Sequence, residues 1–283
     1  MKTYLANRKI TRRRLLQSGA AATAMTALPT GLLRAQTKNL KVGVILPTSG
    51  HLSESGTASR RGIDLATKQI NAAGGVNGAM LEMLYGDTES KAENGRTAAE
   101  KLIRDGARVL IGAWDSGATI AAAQVAEREK IPLVINIASA PQITEQGFKY
   151  AFRNFTPGTT LVANAVARIK EVGSLTGIDP KTAVVMHVND TFGQAVNKGV
   201  EILWSKFKVP IEILDTISYD PQARDLSVEV AKAKSKKPDL LLPITRVNDA
   251  IMIVREMVKQ DFNPMGIIGP GSPGPYEKAF TDT

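Results

Sequence analysis

The chain has 283 residues, enough for one large domain or two medium-sized ones. With 43% hydrophobic and 22% charged residues, its composition is that of a globular protein and excludes a disordered or membrane-embedded chain. There is no cysteine, which excludes disulfides, thiolate metal sites and a cysteine nucleophile, and with only two histidines we expect no histidine-based metal site.

The formal charge of +9 is concentrated at the start of the chain. Seven of the 36 basic residues lie in residues 1–35, which contain no acidic residue. The rest of the chain therefore has 29 basic and 27 acidic residues and is nearly neutral. A nearly neutral body argues against a nucleic-acid-binding surface.

Residues 1–35 have the features of an export signal. The segment Thr11–Gln17 (TRRRLLQ) resembles the twin-arginine signal, and the weakly apolar stretch Ser18–Leu33 is too short to serve as a membrane anchor. We expect cleavage near Ala35, export by the twin-arginine machinery and a protein free in the periplasm. The alternative is a basic N-terminal arm on a cytoplasmic protein.

From Leu40 onward, short apolar runs alternate with longer amphipathic ones. In the first half, strands are predicted at Leu40–Leu46, Met80–Tyr85, Arg108–Ile111 and Pro132–Ile137. The helices between them are predicted at Ser55–Ala73, Glu93–Asp105 and Ala118–Glu129. The apolar or small residues of the first helix form one face at Ala58, Gly62, Ala66 and Ile70, and Gly74-Gly75 end that helix.

The alternation restarts after an extended run at Tyr150–Phe155. Further strands are predicted at Ala183–Val188, Ile211–Ile217, Leu240–Pro243 and Met265–Ile268. Further helices are predicted at Thr160–Val172, Phe192–Phe207, Ala223–Lys234 and Asn248–Lys259. The face of the last helix that is predicted to pack on a sheet contains Ile251, Val254, Met257 and Val258.

Alternating strands and helices predict an α/β fold with parallel sheets that are covered on both faces. Two such series in succession predict two doubly wound lobes, one at residues 36–155 and one at residues 156–270, with residues 271–283 beginning a return into the first lobe. Ligands bind such sheets at the carboxyl ends of the strands. The cleft between the lobes is therefore the expected place for a small-molecule ligand.

A series of segments resembles the periplasmic branched-chain amino-acid-binding proteins, which are substrate-binding proteins of ABC transporters with the type I periplasmic binding fold. The segments stand in the family's order and cover Leu40 to Gly271. They are Lys41–Gly50 (KVGVILPTSG), Gly62–Gly75 (GIDLATKQINAAGG), Val76–Asp87, Ile111–Thr119 (IGAWDSGAT), Ile131–Ser139 (IPLVINIAS), Phe152-Arg153, Asn189–Gly193 (NDTFG), Tyr219–Pro221 with Asp225, and Lys237–Asp239 (KPD).

The resemblance implies two lobes joined by a hinge that closes on an amino acid, an amide or a small carboxylate, and delivery of this ligand to an ABC permease in the inner membrane. It implies neither an enzyme nor a cofactor. In the family the chain returns from the second lobe to complete the first. This chain stops at Thr283, where that return would begin, so we expect a C-terminally truncated part of a longer protein with an incomplete first lobe. The alternative is a shortened natural variant.

Three other functions are weighed against solute capture. A dinucleotide-dependent enzyme needs a G-x-G-x-x-G turn after a strand, whereas Pro47–Gly50 (PTSG) follows the first strand here. A transcriptional regulator with this ligand domain needs a DNA-binding helix pair at its N-terminus, where this chain has the export signal. A periplasmic sensory module that passes its signal to a membrane receptor stays open as the alternative.

Seven residues are expected to contact the ligand: Trp114, Ser116, Ile137, Ala138, Ser139, Phe192 and Arg246. Free N–H groups at a helix start, with the Ser116 hydroxyl, form an anion site, and by resemblance this is where the family holds a ligand carboxylate. Ile137, Ala138 and Ser139 resemble a second segment that offers backbone groups and a hydroxyl to the same end of the ligand. The alternatives are a helix-capping Ser116 and a turn serine at Ser139.

The remaining candidates are two aromatic residues and an arginine. Trp114 is expected to wall the ligand unless it packs beneath its loop, and Phe192 has a ring but no hydroxyl where the family often has tyrosine. The acidic residue that pairs with the ligand ammonium in the family is replaced by Gly271-Ser272. Arg246 instead favours a carboxylate-bearing ligand through bidentate pairing, unless it is a solvated surface residue.

Three further polar residues stand at ends of predicted elements. His187 lies at a strand end, either facing the cleft or satisfied by local hydrogen bonds. Asp115 and Asp190 are predicted to begin helices.

Overall fold

The computed structural model describes residues 39–274 and 278–282. The predicted export signal and its cleavage site at Ala35 lie outside the described residues. Within the described ranges, no helix has the length and apolarity that a membrane span requires.

The first half of the chain forms a five-stranded parallel sheet with the order β2-β1-β3-β4-β5. Its strands are β1 (Leu40–Leu46), β2 (Leu81–Asp87), β3 (Val109–Ile111), β4 (Leu133–Ile135) and β5 (Ala151–Arg153). The helices of this half are α1 (Ser53–Ala72), α2 (Asn94–Arg104), α3 (Ser116–Glu129) and α4 (Gln142–Glu145). We call this sheet and these helices the first lobe.

The second half forms a four-stranded parallel sheet with the order β7-β6-β8-β9. Its strands are β6 (Thr182–Val188), β7 (Glu212–Tyr219), β8 (Leu240–Ile244) and β9 (Gly266–Ile267). Its helices are α5 (Gly158–Thr176), α6 (Thr191–Lys206), α7 (Ser227–Ser235) and α8 (Val247–Lys259), and we call these elements the second lobe. A short helix α9 (Lys278–Thr281) follows.

This architecture confirms the predicted α/β fold class with two parallel sheets. The first sheet ends at Arg153 and the second begins at Thr182. The predicted division between residues 155 and 156 falls between them and stays a prediction.

The central strands are continuous apolar runs because both faces of each sheet are covered. All five residues of β8 are buried, as are the last five of β1. β8 is flanked by β6 and β9, and β1 is flanked by β2 and β3. In chain order α3 follows β3, α6 follows β6 and α8 follows β8. Each of these helices therefore begins at the carboxyl end of the strand before it.

Both helices with a predicted face, α1 and α8, are present. The regularly spaced residues of α1 do not form its buried side, and the predicted face of α8 is only partly right, because Met257 is buried and Val258 is not. In α1 the predicted residues Ala58, Gly62, Ala66 and Ile70 are exposed, and Gly56 is buried instead. In α8 the predicted Val258 is 77% exposed, and the buried face contains Val247, Ala250, Ile253 and Met257. Apolar residues occur on more than one side of each helix, so spacing alone did not select the side that meets the sheet. Helix α4 was not predicted because its four residues are too short to show a period.

Leu241 lies in β8 at the centre of the second core, and its side chain has no exposed surface. Leu241→Ala leaves a cavity there, so the free energy of unfolding should fall by about 2–5 kcal/mol. Urea denaturation measures the change. Leu175→Ala is the control, since Leu175 is 78% exposed, and a similar loss in both variants would contradict the assigned core.

Candidate ligand-binding site

A cavity of about 1190 Å³ reaches the carboxyl ends of the strands between the two lobes, and most of its lining belongs to the second lobe, along α5, β9 and the residues that follow β9. Six of the seven predicted residues line it: Trp114, Ser116, Ile137, Ser139, Phe192 and Arg246. The first four belong to the first lobe, and Phe192 and Arg246 belong to the second. Ala138 does not line the cavity, contrary to the prediction. Its side chain is buried, and its carbonyl oxygen accepts a hydrogen bond from Arg153 Nη1 at 2.6 Å.

Two aspartates begin the helices at this cavity, as predicted. The Oδ1 atom of Asp115 accepts the Ala118 N–H at 2.9 Å and caps α3. Asp190 caps α6 in the same way through the Gly193 N–H, also at 2.9 Å. Ser116 is therefore the first residue of α3 rather than its cap, which removes the purely capping alternative for this residue.

The hydroxyls of Ser116 and Ser139 lie at one end of the cavity. Ser116 is 2% exposed, and its Oγ accepts a long 3.4 Å hydrogen bond from the Ala140 N–H. Ser139 is 4% exposed, and its Oγ has no hydrogen-bond partner among the described residues. A buried hydroxyl without a partner costs free energy. The cavity therefore contains a hydroxyl that has no protein partner among the described residues, close to the start of α3.

The rings of Trp114 and Phe192 form two walls, one from each lobe. Both residues are nearly buried. Trp114 has a backbone φ of 73°, in the left-handed region that bulky residues rarely adopt. Strained backbone of this kind is held in place by its surroundings and is concentrated at functional sites. The Trp114 ring lines the cavity and also packs in a core cluster with Val44, Leu46 and Leu52, so the predicted wall and the packing beneath its loop are both present.

Arg246 lies between these rings, with its guanidinium carbon 5.9 Å from the Trp114 centroid and 5.0 Å from the Phe192 centroid. Its Nη1 is 2.5 Å from Asp190 Oδ2, and its Nη2 is 3.3 Å from Asp115 Oδ2. We call Asp115, Arg246 and Asp190 the charge triad. The three side chains are 13%, 7% and 20% exposed, respectively.

The charge triad corrects the prediction for Arg246. The residue lines the cavity as expected, and the solvated-surface alternative is wrong because the side chain is buried. Both terminal nitrogens, however, already contact carboxylates, so a bidentate ligand pair would have to share these nitrogens with Asp115 and Asp190. Sequence reasoning missed this pairing because Asp115 and Arg246 are 131 residues apart and meet only across the two lobes.

Burial and neighbouring charges shift the pKa of the groups in and around the charge triad. Burial acts to lower the pKa of Arg246, but the attraction of Asp190 and Asp115 outweighs it and the pKa is raised. Asp249, which accepts the Arg246 backbone N–H at 2.8 Å and the Tyr219 hydroxyl at 2.7 Å, has a raised pKa chiefly because it is buried. Burial and the Asp249 carboxylate raise the pKa of Tyr219 as well.

The two histidines have different surroundings. His51 lines a second cavity of about 630 Å³ that Arg246 also borders, and its carbonyl oxygen accepts a 3.3 Å hydrogen bond from Asn248 of the second lobe. Burial first, and then the positive charge of Arg246, lower the pKa of His51. His187 is buried with Nδ1 3.0 Å from the Val188 carbonyl oxygen, which agrees with the alternative of a satisfied strand-end residue.

No group of three or more histidine and acidic residues within 39–274 and 278–282 has the arrangement to hold a metal ion. The arrangement at the main cavity is instead suited to binding. It combines an unpaired hydroxyl near a helix start, two aromatic walls and a buried group of three charges.

Comparison with known proteins gives matches over the described part of the chain. A family model described as periplasmic binding protein matches residues 39–277. The Leu/Ile/Val-binding protein homolog 8 of Brucella abortus is 26% identical over 248 residues, which are 87% of this chain and 61% of that protein. Homolog 7 of the same species is 26% identical over 254 residues, covering 88% of this chain and 63% of that protein.

Solved structures share the fold. The branched-chain amino acid transporter substrate-binding protein of Streptococcus pneumoniae, in complex with isoleucine, has a TM-score of 0.69 at 24% identity, with 82% of this chain and 64% of that chain covered. An ABC transporter solute-binding protein from R. palustris, in complex with benzoate, has a TM-score of 0.69 at 26% identity, with coverages of 79% and 60%. This chain thus spans about 60% of the length of its relatives.

Removing the charge of Arg246 should destabilise the protein strongly. Arg246→Met leaves two half-buried carboxylates without their cation, and we expect the free energy of unfolding to fall by at most about 3–5 kcal/mol, the loss for a fully buried pair from which one partner is removed. The triple variant Arg246→Met/Asp115→Asn/Asp190→Asn should recover most of this loss, because asparagine still caps a helix and leaves no charge. Urea denaturation measures both variants.

The control is Arg128→Met, which removes an exposed arginine paired with Glu100 and Glu129. Exposed pairs contribute about 0–1 kcal/mol. If Arg246→Met cost no more than this control, the triad would not be a buried, mutually dependent group.

The lowered pKa of His51 predicts a pH dependence of stability. On acidification, the unfolded state takes up a proton at the ordinary pKa before the folded state does, so the free energy of unfolding should fall as the pH drops through about 6.5. His51→Asn should flatten this slope between about pH 5 and pH 7. Thermal melting across this range tests the prediction, and an unchanged slope in the variant would contradict it.

Proposed function

The chain belongs to the periplasmic binding protein family, among the relatives of branched-chain amino-acid-binding proteins, and from this we propose that it captures a small solute between its two lobes. The observation that carries the proposal is the buried Ser139 hydroxyl, unpaired among the described residues and lining the cavity at the start of α3. A ligand carboxylate there would accept hydrogen bonds from the hydroxyls and N–H groups.

The ligand class that we propose is an amino acid or a related small amide or carboxylate. Relatives at 26% identity are named for leucine, isoleucine and valine or hold benzoate, and these molecules share a carboxylate on an apolar body. In this chain Trp114 and Phe192 would contact the apolar body, and Ser116 and Ser139 would bind the carboxylate. Ile137 adds an apolar contact at the same end.

The proposed mechanism is binding rather than catalysis. The solute enters the open cleft, hinge closure between the lobes excludes water, and the closed protein delivers the solute to an ABC permease in the inner membrane. We further propose export through the twin-arginine signal in residues 1–35 and action in the periplasm. The relatives named as transporter components support this role.

A thermal-shift screen of the purified protein tests the proposal. Amino acids, their amides and small carboxylates are added singly, and a solute that binds the folded state should raise the melting temperature with its concentration. Ser139→Ala should then weaken the binding of that solute by about tenfold or more, the effect of losing a hydrogen bond to a charged group.

The control variant is Ser235→Ala, which removes an exposed hydroxyl at the end of α7, away from the cavity. It should leave the affinity unchanged. A protein that responds to none of the three solute classes would contradict solute capture, and equal affinities for Ser139→Ala and the control would contradict the placement of the carboxylate.

A further inference from the structure

The charge triad joins the two lobes through one guanidinium. Each aspartate uses Oδ1 to cap its own helix and Oδ2 to contact Arg246. Asp115 belongs to the first lobe, and Asp190 and Arg246 belong to the second. Two carboxylates and one guanidinium carry a net charge of −1 at the aromatic walls of the cavity.

An anionic ligand group would meet a guanidinium whose two terminal nitrogens already contact carboxylates. To form a paired contact with Arg246, a ligand carboxylate would compete with Asp115 at Nη2 or with Asp190 at Nη1, and without displacing either it would add a third negative charge around one cation. The displaced carboxylate would stay in the same poorly solvated place without its cation, and burial of an unpaired charge is costly. A neutral group needs no such displacement, and a cationic group is attracted by the net charge.

The neighbouring groups do not change this balance. Asp249 contacts the Arg246 backbone and the Tyr219 hydroxyl, and its raised pKa reflects burial of a further acidic group. His51 borders the second cavity with Arg246, and its pKa is lowered, so it adds no positive charge near neutral pH. The single positive charge of Arg246 is therefore exceeded by the two negative charges of Asp115 and Asp190.

We propose that Asp115 and Asp190 determine the charge specificity of the cleft, by holding Arg246 so that it rejects a second carboxylate on the ligand and admits a neutral or cationic group beside Trp114 and Phe192. This inference rests on the proposed function, because it concerns the ligand that is bound in the same cavity. By its chemistry alone, an arginine in a cleft indicates that an anion binds there. Here the contacts of Arg246 with Asp115 and Asp190 make it part of a site that disfavours anions.

The test uses acetate as the carboxylate and chloride at equal ionic strength as the reference, so it needs no knowledge of the natural ligand. Three proteins are compared by thermal melting: the wild type, Asp115→Asn/Asp190→Asn, and the same double variant with Arg246→Met. Asparagine keeps both helix caps while it removes the competing charges. The last two proteins differ only in whether a freed guanidinium is present.

We expect acetate to raise the melting temperature of the double variant by about 2–4 °C more than that of the triple variant, which corresponds to acetate at about five times its Kd. The wild type should respond like the triple variant, since its arginine is occupied. A rise in melting temperature that is the same in all three proteins would indicate that acetate binds at another place, such as the Ser116 and Ser139 hydroxyls.

Two results would overturn the proposal: an acetate response of the wild type as large as that of the double variant, or equal responses of the double and triple variants. If the double variant does not fold, Asp115→Asn, which frees Nη2 alone, replaces it, with Asp115→Asn/Arg246→Met as its reference and the same expected order. A failure of the solute screen leaves these comparisons intact, so the two proposals can fail separately.

Discussion

The arrangement of the cleft depends on one buried cation. A guanidinium that is 7% exposed requires carboxylates nearby, and Arg246 obtains them from Asp115 and Asp190. Because each aspartate also caps a helix, the contact ties together the starts of α3 and α6. Arg246 itself precedes α8, so three helix starts meet around one side chain. The two lobes are thereby held against each other at the place where the ligand is proposed to bind.

The parallel arrangement of the sheets allows the starts of α3, α6 and α8 to come together around Arg246. In each sheet the strand ends point the same way, so the loops that follow β3, β6 and β8 open toward a common space. The approach is close at Gly117, where an added Cβ would lie 3.2 Å from Thr191 Oγ1 of the other lobe. The added Cβ would also lie 2.9 Å from the Ala92 Cβ, so a larger residue at this position would require neighbours in both lobes to shift.

Local sequence patterns predicted the helices and strands better than they predicted the contacts between distant residues. Strand β1 has the predicted bounds of Leu40–Leu46, because a buried apolar run ended by proline is a local signal. Six of the seven site residues line the cavity because residues that follow parallel strands share one edge of a sheet. The pairing of Arg246 with Asp115 depends on the relative placement of two sheets, which no spacing along the chain encodes, and the buried side of α8 depends on the same packing.

Two groups at the cleft differ in what they lack. The Ser139 hydroxyl is buried and unpaired among the described residues, so a bound acceptor would provide it with a partner. Arg246 already contacts a carboxylate at each terminal nitrogen, so a bound anion would compete with Asp115 and Asp190 for the same guanidinium. Affinity for a carboxylate therefore belongs to the serines and discrimination by charge belongs to the triad. An arginine in a binding cleft is informative about the ligand only after its own partners have been identified.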